Sequence, residues 1–286
     1  MARCDVCFRH CEIAEGKTGF CGARTCTDGR VIPSNYGKIT SLALDPIEKK
    51  PLNHFYPGAL ILSAGSYGCN LRCPFCQNHE ISWSDAAWKF AETADIISPE
   101  ALAQAAARYR SRGNIGVAFT YNEPLIGYEY ILDTAKLVKE LGMKTVLVTN
   151  GTASLSVLKE LAPWIDAMNI DLKGFTDRYY RAVLKGDRKM VMDFIEAAVR
   201  VCHVELTTLI IPGENDTEEE MENLSQWVSK LRNSEDKVIG TEVPLHISRF
   251  FPRFKMQDRH ATEVRLVYRL AEVARRYLRY VYTGNC

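Results

Sequence analysis

The most informative absences in this 286-residue sequence are a charge of one sign and a long apolar run. The 36 lysines and arginines nearly balance the 35 aspartates and glutamates, which leaves a net charge of +1. Such a balance provides no overall field that would attract nucleic acid or an acidic membrane surface. No run of about 18 apolar residues occurs, and the first residues lack a basic-then-apolar signal pattern. We therefore expect a cytoplasmic protein with neither a membrane span nor a nucleic-acid partner.

Cysteine, by contrast, is abundant. The sequence contains ten cysteines, and seven of them fall into two close groups. Disulfides are rare in a reducing compartment, so clustered cysteines there indicate metal or redox chemistry. The first group contains Cys4, Cys7, Cys11 and Cys21, and the second contains Cys69, Cys73 and Cys76.

The second group has the spacing C-x3-C-x2-C and directly follows the apolar strand candidate at residues 59–62. Three thiolates on one short loop can hold three corners of a four-iron cluster, since soft thiolate suits iron and sulfide. The fourth iron then stays open, and an open metal position is suited to chemistry. Two structural zinc ligands with one spare cysteine are the alternative, but no later C-x2-C or H-x3-H pair completes such a site.

The first group has the spacing C-x2-C-x3-C-x9-C among several glycines, without a regular apolar period. Four thiolates in such a segment predict a small knuckle folded around metal. Structural zinc and a second iron-sulfur cluster both use four thiolates, so the residues alone leave the two open. Cys26 is left as a spare, because the tetrad is complete without it.

From residue 59 onward, strand-like and helical patterns alternate. The strand-like runs cover residues 59–63, 115–121, 144–149, 167–172, 204–211 and 241–247, with a short last run at 280–283. Helical patterns between them begin at the capping signals Ser98-Pro99 and Thr217-x-x-Glu220. Repeated strand-helix-strand units predict parallel strands with helices outside, and so an α/β full or partial barrel. Residues 1–57 are then a cysteine-rich segment with a proline-broken linker lying on the barrel, and residues 58–286 are the barrel.

Polar groups recur at the carboxyl ends of the predicted strands, where barrels of this type place their active sites. Turn chemistry explains any one of these groups, but it explains the whole set poorly. The polar stretches cover residues 69–76, 120–124, 148–151, 169–173, 211–216 and 244–246.

The run Cys69-Asn-Leu-Arg-Cys73-Pro-Phe75-Cys76 resembles the cluster motif of radical S-adenosylmethionine (SAM) enzymes. From about residue 59 to the end, the chain is similar to pyruvate formate-lyase activating enzymes. At finer grain it resembles the radical SAM enzymes of the AmmeMemoRadiSam system. This second resemblance covers nearly the full length and includes the N-terminal cysteines and residues 45–52 and 76–82.

The resemblance implies a partial (β/α)6 TIM-like barrel with a 4Fe-4S cluster on Cys69, Cys73 and Cys76. SAM would bind the open iron and be cleaved reductively, and the resulting 5′-deoxyadenosyl radical would abstract hydrogen from a substrate. Asn122 and Glu123 fall in the family element that receives the SAM amino group. The full set of residues implied to bind SAM is Phe75, Asn122, Glu123, Asn150, Asp171, Lys173 and His246.

The implied partners are an electron donor such as flavodoxin or ferredoxin, and Memo-like or AMMECR1-like proteins. The substrate stays open between a protein that receives a glycyl radical, another protein, and a small molecule. A rival reading from the residues is a non-catalytic iron-sulfur or zinc module that binds partner proteins. That module would have no need for polar groups at successive strand ends.

Overall fold

The computed structural model describes residues 1–286. Its strands are β1 (Ala2–Arg3), β2 (Glu12–Ile13), β3 (Arg24–Thr27), β4 (Arg30–Pro33), β5 (Lys38–Ile39), β6 (Ser41–Pro46), β7 (Leu60–Gly65), β8 (Asp95–Ile96), β9 (Asn114–Phe119), β10 (Lys144–Thr149), β11 (Ala167–Asp171), β12 (His203–Ile210), β13 (Leu245–Arg249) and β14 (Val281–Gly284). The α-helices are α1 (His79–Ser82), α2 (Asp85–Thr93), α3 (Pro99–Arg108), α4 (Tyr128–Glu140), α5 (Leu155–Leu161), α6 (Arg188–Ala198), α7 (Glu218–Val228) and α8 (Val264–Arg275).

Short helical turns connect several of these elements. One π-helix spans Tyr179–Leu184. The 3-10 turns are Ile47–Lys49, Arg110–Arg112, Pro124–Gly127, Ala162–Trp164, Gly240–Glu242 and Phe254–Met256. None of the helices combines the length and the apolar character needed to cross a bilayer.

One eight-stranded sheet, ordered β14-β13-β12-β11-β10-β9-β7-β6, organises the molecule. Strands β7 and β9 to β14 are parallel, whereas β6 joins the edge antiparallel to β7. Helices connect successive parallel strands, as a parallel sheet requires. The prediction of an α/β partial barrel is confirmed. Before the barrel, the N-terminal segment forms the small antiparallel pairs β1-β2 and β3-β4.

Capping chemistry positions the crossover helices where the sequence predicted it. The Ser98 side chain accepts a hydrogen bond from the backbone of Ala101, and Pro99 occupies the first turn of α3. At α7, the Thr217 side chain accepts from the backbone of Glu220. Each cap satisfies a backbone donor that has no partner within the helix.

The two faces of the parallel strands meet different surroundings. On β12, the side chains of Val204, Leu206 and Ile210 are buried under the helices. The alternate side chains of Thr207 and Leu209 face the barrel interior and are only half-buried. Because alternate residues on a strand point to opposite faces, this difference shows that the interior stays open to solvent toward the carboxyl ends of the strands.

The linker does not lie on the barrel as predicted. Its first part, residues 41–46, forms the edge strand β6, where Pro46 takes the final position and needs no donor toward the open side. The next part enters the amino end of the barrel, where Ile47 and Leu52 are fully buried. They form one apolar floor with Ile61, Ala118, Val146 and Ala167. In the sequence, the polar residues around Ile47 and Leu52 obscure their apolar character. The free energy gained by burying these two side chains outweighs the disruption that the prolines cause.

The sixth predicted strand begins later than residue 241, because Gly240–Glu242 forms a 3-10 turn and Pro244 has no backbone donor. Strand β13 therefore starts at Leu245. His246 lies within this strand.

We predict that Leu52→Ala destabilises the protein by about 2 to 5 kcal/mol, since it leaves a cavity in a floor that cannot collapse. Urea unfolding followed by circular dichroism measures the change. Leu155→Ala is the matched control, because Leu155 is 51% exposed and should change stability by less than about 0.5 kcal/mol. An equal effect of the two substitutions would contradict the assignment of Leu52 to the floor.

Candidate active site

The loop that carries Cys69, Cys73 and Cys76 follows β7 at the carboxyl end of the barrel, and long-range hydrogen bonds hold its first part. The side-chain oxygen of Asn122 accepts from the backbone of Ser66 at 3.0 Å, and its amide group donates to the carbonyl of Gly68 at 3.1 Å. The backbone of Cys69 donates to the carbonyl of Cys21 at 3.2 Å. The strand end after β9 and the N-terminal segment thus fix this loop from two sides.

Gly68 makes the close approach of the N-terminal segment possible. Its φ of 93° lies in the left-handed region. A Cβ atom there would come within 2.8 Å of both the Ala23 side chain and the Cys21 carbonyl oxygen. Only glycine meets both conditions without strain.

All three thiols of the loop are unpaired, and two polar groups are directed at one of them. The backbone N–H of Leu71 donates to the Cys69 sulfur at 3.4 Å, and the Asn150 amide lies 3.8 Å from the same sulfur. Donors of this type tune the potential of a sulfur-ligated cluster. Burial raises the pKa of all three thiols, to about 12 at Cys73. A metal centre bound here must therefore displace the thiol protons.

The residues of this loop fit an iron-sulfur cluster by their chemistry. No three cysteine, histidine or carboxylate side chains surround one point closely enough to hold a single ion, either here or at the N-terminal cysteines. In a cubane each cysteine binds a different iron, so its ligands stand farther apart than ligands that share one zinc. Three thiols on one loop, one buried and two half-buried, with hydrogen-bond donors at the Cys69 sulfur are a donor set that suits such a cluster.

Strand register places four polar side chains in one row across the interior of the barrel. Asp171 pairs with Thr207, Thr207 with His246, and His246 with Tyr282. Directly paired residues of neighbouring strands point to the same face. The row therefore joins two residues that the sequence predicted, Asp171 and His246, to two that it did not.

Asn122 and Glu123 lie at the end of β9 and are engaged with the protein itself. The Glu123 carboxylate accepts from the Thr149 hydroxyl at 2.6 Å and from the backbone of Asn150 at 2.8 Å. Burial raises the pKa of Glu123 to about 7, although these hydrogen bonds act in the opposite direction. The side chains tie the cluster loop and the end of β10 to β9.

Asn150 is placed beside the cluster loop, as predicted for a residue of the SAM pocket. Its amide donates to the side-chain oxygen of Asn70 at 3.0 Å, and Asn70 in turn donates to the carbonyl of Thr152. Phe75, the aromatic residue of the motif, is 7% exposed and packs into the main core. Its ring thus supports the loop from below.

Asp171 and Lys173 form an ion pair at the end of β11, with 2.7 Å between the Lys173 ammonium and the Asp171 carboxylate. Burial lowers the pKa of Lys173, but Asp171 and the thiol of Cys73 more than compensate and raise it. The pair lies next to the cluster loop and carries both signs of charge. It can therefore meet a zwitterionic ligand.

Glu205 is the main residue of this region that the sequence did not single out. Its side chain is fully buried, 2.7 Å from the ring nitrogen Nε2 of His246 and 3.0 Å from that of His203. It also accepts from the backbone N–H groups of Asn53 and His54. Burial opposes ionisation, yet these four donors lower the pKa of Glu205 to about 2. A glutamate within an apolar strand was the available signal.

The N-terminal cysteines gather in one place. Cys4, Cys7 and Cys21 are buried and Cys11 is half-buried, all without disulfides. Burial raises the pKa of Cys7, and neighbouring Cys4 and Cys11 add to the effect. Burial likewise raises the pKa of Cys21 to about 12, with smaller contributions from Cys7 and Cys4. The structure does not show a second metal site here, which stays a prediction.

The N-terminal segment packs directly on the cluster loop through stacked cations. The guanidinium groups of Arg9 and Arg72 lie 3.3 Å and 3.8 Å from the centre of the Phe20 ring. Arg9 also donates to the carbonyl of Asn70 at 2.9 Å. Arg24 forms a bidentate pair with Glu129 on α4, which anchors the segment to the barrel.

The geometry defines a class: a partial parallel barrel with a three-thiol loop at its carboxyl end and a row of polar side chains beside it. Comparison with protein families agrees. Residues 64–228 match the Radical SAM superfamily, and this range covers more than half of the chain and contains Cys69, Cys73, Cys76, Asn122, Glu123, Asn150, Asp171 and Lys173. The chain belongs to the radical SAM superfamily.

Individual proteins are also similar to this chain. An uncharacterized protein of Methanocaldococcus jannaschii is 39% identical over 99% of this chain and 81% of its own length. The pyruvate formate-lyase-activating enzyme of Clostridium pasteurianum is 27% identical over 59% of this chain and 69% of its own length. Streptococcus suis SuiB, solved with S-adenosylmethionine bound, shares the fold with a TM-score of 0.57 at 15% identity, covering 77% of this chain and 48% of its own.

We predict that Glu205→Gln costs about 3 kcal/mol of stability at pH 7, because the pKa falls from 4.5 to about 2 and each unit is worth about 1.4 kcal/mol. The unfolded chain binds the proton more readily, so this stabilisation is complete above pH 4.5 and is lost as the pH falls through about 2. Urea unfolding of wild type and variant at pH 7, 4 and 3 checks it.

The exposed Glu196→Gln is the control and should leave stability unchanged at all three pH values. A wild-type advantage over Glu205→Gln that stays constant down to pH 3 would contradict an ionised Glu205 with a depressed pKa.

Proposed function

We propose that this chain is an enzyme that binds a 4Fe-4S cluster through Cys69, Cys73 and Cys76 and reductively cleaves SAM to start hydrogen abstraction from a substrate. The observation that carries the proposal is the three-thiol loop, held beside an inward row of polar side chains at the active end of a radical SAM barrel. When bound, the cluster supplies the electron and the open iron that SAM cleavage needs. The residues of the chain bind and position SAM and exclude water.

The residues implied to bind SAM fall into two groups, those that can contact it directly and those that position its surroundings. Asp171 and Lys173 face accessible space, with 30% and 17% of their side chains exposed, and so are the candidates for direct contact. His246 faces the same interior but is buried against Glu205, and its contact with SAM rests on the resemblance alone. Asn122 and Glu123 have their polar atoms bound to the loop and to β10, so we assign them to positioning. Loop positions matter because a displacement of about 1 Å can cost 100-fold in rate.

Exclusion of water is the second task of the chain. The N-terminal segment covers the cluster loop from one side through the contact between Cys21 and Cys69. The linker closes the opposite end of the barrel with Ile47 and Leu52. A reactive intermediate formed between them would be shielded from side reactions with solvent.

The proposal extends to the type of enzyme, its compartment, its electron donor and its partner proteins. The similarity to activating enzymes and the whole-length resemblance favour an enzyme of the AmmeMemoRadiSam type in the cytoplasm. It would receive electrons from a flavodoxin or ferredoxin and work with Memo-like or AMMECR1-like proteins. Its substrate is a protein or a small molecule. Reduced, reconstituted enzyme given SAM should release methionine and 5′-deoxyadenosine, and their absence would refute the proposed reaction.

We predict that alanine at Cys69, Cys73 or Cys76 abolishes both cluster binding and SAM cleavage, because each thiolate binds its own iron. Iron analysis and chromatography of 5′-deoxyadenosine measure the two effects. Cys286→Ala is the control and should match the wild type, since this cysteine is exposed at the other end of the chain. Asp171→Asn should retain iron but use SAM less well. Full SAM cleavage by any of the three alanine variants would contradict the ligand assignment.

We predict that Cys4, Cys7, Cys11 and Cys21 bind a separate metal whose loss loosens the N-terminal segment, because metal binding supplies the folding free energy of such a knuckle. Elemental analysis of protein purified without oxygen separates the two versions. Structural zinc gives about one zinc beside about four irons, whereas a second cubane gives about eight irons. About four irons with no zinc and four reactive thiols would exclude both.

A further inference from the structure

A buried ion pair lies where the linker enters the barrel. The Lys50 side chain is 3% exposed, and its ammonium lies 2.8 Å from the Asp45 carboxylate. Asp45 pairs in register with Ile61, which faces the interior, so Asp45 faces the interior too. The ammonium of Lys49 lies 3.5 Å from the other oxygen of Asp45. Two lysines therefore share one carboxylate.

Tyr121 connects this ion pair to the cluster loop. Its hydroxyl donates to Asp45 at 2.8 Å, and the Lys50 ammonium lies 4.8 Å from the centre of its ring. Its carbonyl accepts from the side chain of Asn78, two residues after Cys76. The ion pair is thus one tyrosine side chain away from the loop that carries the cysteines.

The backbone of Tyr121 is strained to reach this position. Its φ of 75° lies in the left-handed region, which is an outlier for a bulky residue. Gly65 makes room for the ring, since a Cβ atom there would come within 2.7 Å of it. Such strain persists only where surrounding structure enforces it, and it concentrates at functional sites.

Ser63 adds a hydroxyl without a hydrogen-bond partner to the inward face of the barrel near Asp45 and Tyr121. It is fully buried on the inward face of β7, one alternate position above Ile61. It lies near Asp45 and Tyr121, but no group stands in hydrogen-bond geometry to its Oγ. A buried hydroxyl without a partner is unfavourable, so a ligand or water is expected to complete it.

We propose that Lys50 and Ser63, positioned by Asp45 and Tyr121, form a binding site inside the barrel for the carboxylate of a small-molecule substrate. The inference rests on the proposed function and narrows its substrate class. Lys50 has three N–H donors and donates one of them to Asp45, and the O–H donor of Ser63 is free. Free donors on a cationic side chain and on a neighbouring hydroxyl match a carboxylate.

A purely structural role explains the site less well. Ile47 and Leu52 already hold the linker by full burial, and a buried ion pair seldom stabilises more than apolar residues of similar size. Holding the linker in place requires neither the strained Tyr121 backbone nor the unpaired Ser63 hydroxyl. Substrate recognition requires both a charge and a free donor.

The test measures binding of simple carboxylates to the reconstituted enzyme by ligand-observed NMR and calorimetry. Acetate, succinate and benzoate are the probes, and the corresponding amides are the uncharged controls. Wild type should bind at least one carboxylate and none of the amides. Lys50→Met should weaken that binding about tenfold or more, as expected for loss of one charge-assisted hydrogen bond.

Lys49→Met is the matched control, because Lys49 contacts the same Asp45 but is 68% exposed and screened by water. It should change binding by about twofold or less. If Lys50→Met fails to fold because Asp45 is left unpaired, the double variant Asp45→Asn/Lys50→Met removes both charges and should fold yet lack carboxylate binding.

The outcomes separate the two proposals. Lys50→Met should still release 5′-deoxyadenosine from SAM without substrate and should bind SAM as tightly as the wild type. Weakened SAM binding would reassign Lys50 to the cofactor and overturn the inference. So would failure of every carboxylate to bind wild type that cleaves SAM, an outcome that favours a protein substrate. Wild type that binds carboxylates but never cleaves SAM would instead refute the proposed function.

Discussion

The structure depends on holding the loop of Cys69, Cys73 and Cys76 in one conformation. Asn122 binds its backbone from the end of β9, and the carbonyl of Cys21 accepts from Cys69 across the N-terminal segment. Three thiols bind one cluster more tightly when the loop already presents them together, since ordering them on binding would subtract from the affinity. Much of the chain outside the barrel strands serves this loop.

The barrel interior is divided into two levels, and this division creates the space for chemistry. A typical closed barrel fills its centre with layers of apolar side chains. Here only the floor is filled, by Ile47 and Leu52 from the linker together with small and branched side chains of the strands. Above the floor the inward residues are polar and partly accessible, as Thr207 and Asp171 show. A polar cofactor and substrate can therefore enter from the carboxyl end.

Several buried or half-buried charges in this protein are compensated, but in different ways. Glu205 is surrounded by four donors, Asp171 is paired with Lys173, and Arg24 is held by Glu129. Each arrangement avoids the large cost of an unpaired buried charge. The pair at Lys50 differs because Lys50 keeps free N–H donors beside the unpaired Ser63 hydroxyl, and these donors carry the substrate inference.

The sequence by itself determined the features that depend on near neighbours. These include the three-cysteine loop, the capped helices α3 and α7, and the alternation of strands and helices, all of which rest on spacings within a few residues. Asn150 beside the loop was also predictable, because it directly follows a strand. The same is true of Asp171 and Lys173 at the end of β11, although their ion pair was not predicted.

Only the tertiary structure decided which distant residues share the interior. Tyr121 meets Asp45 across 76 positions, and Glu205 meets His246 across 41. Such pairs depend on strand register, in which a shift of one residue turns every side chain to the other face. The linker is the clearest case. Its prolines and charges predicted a surface path, whereas burial of two of its apolar side chains draws it into the barrel.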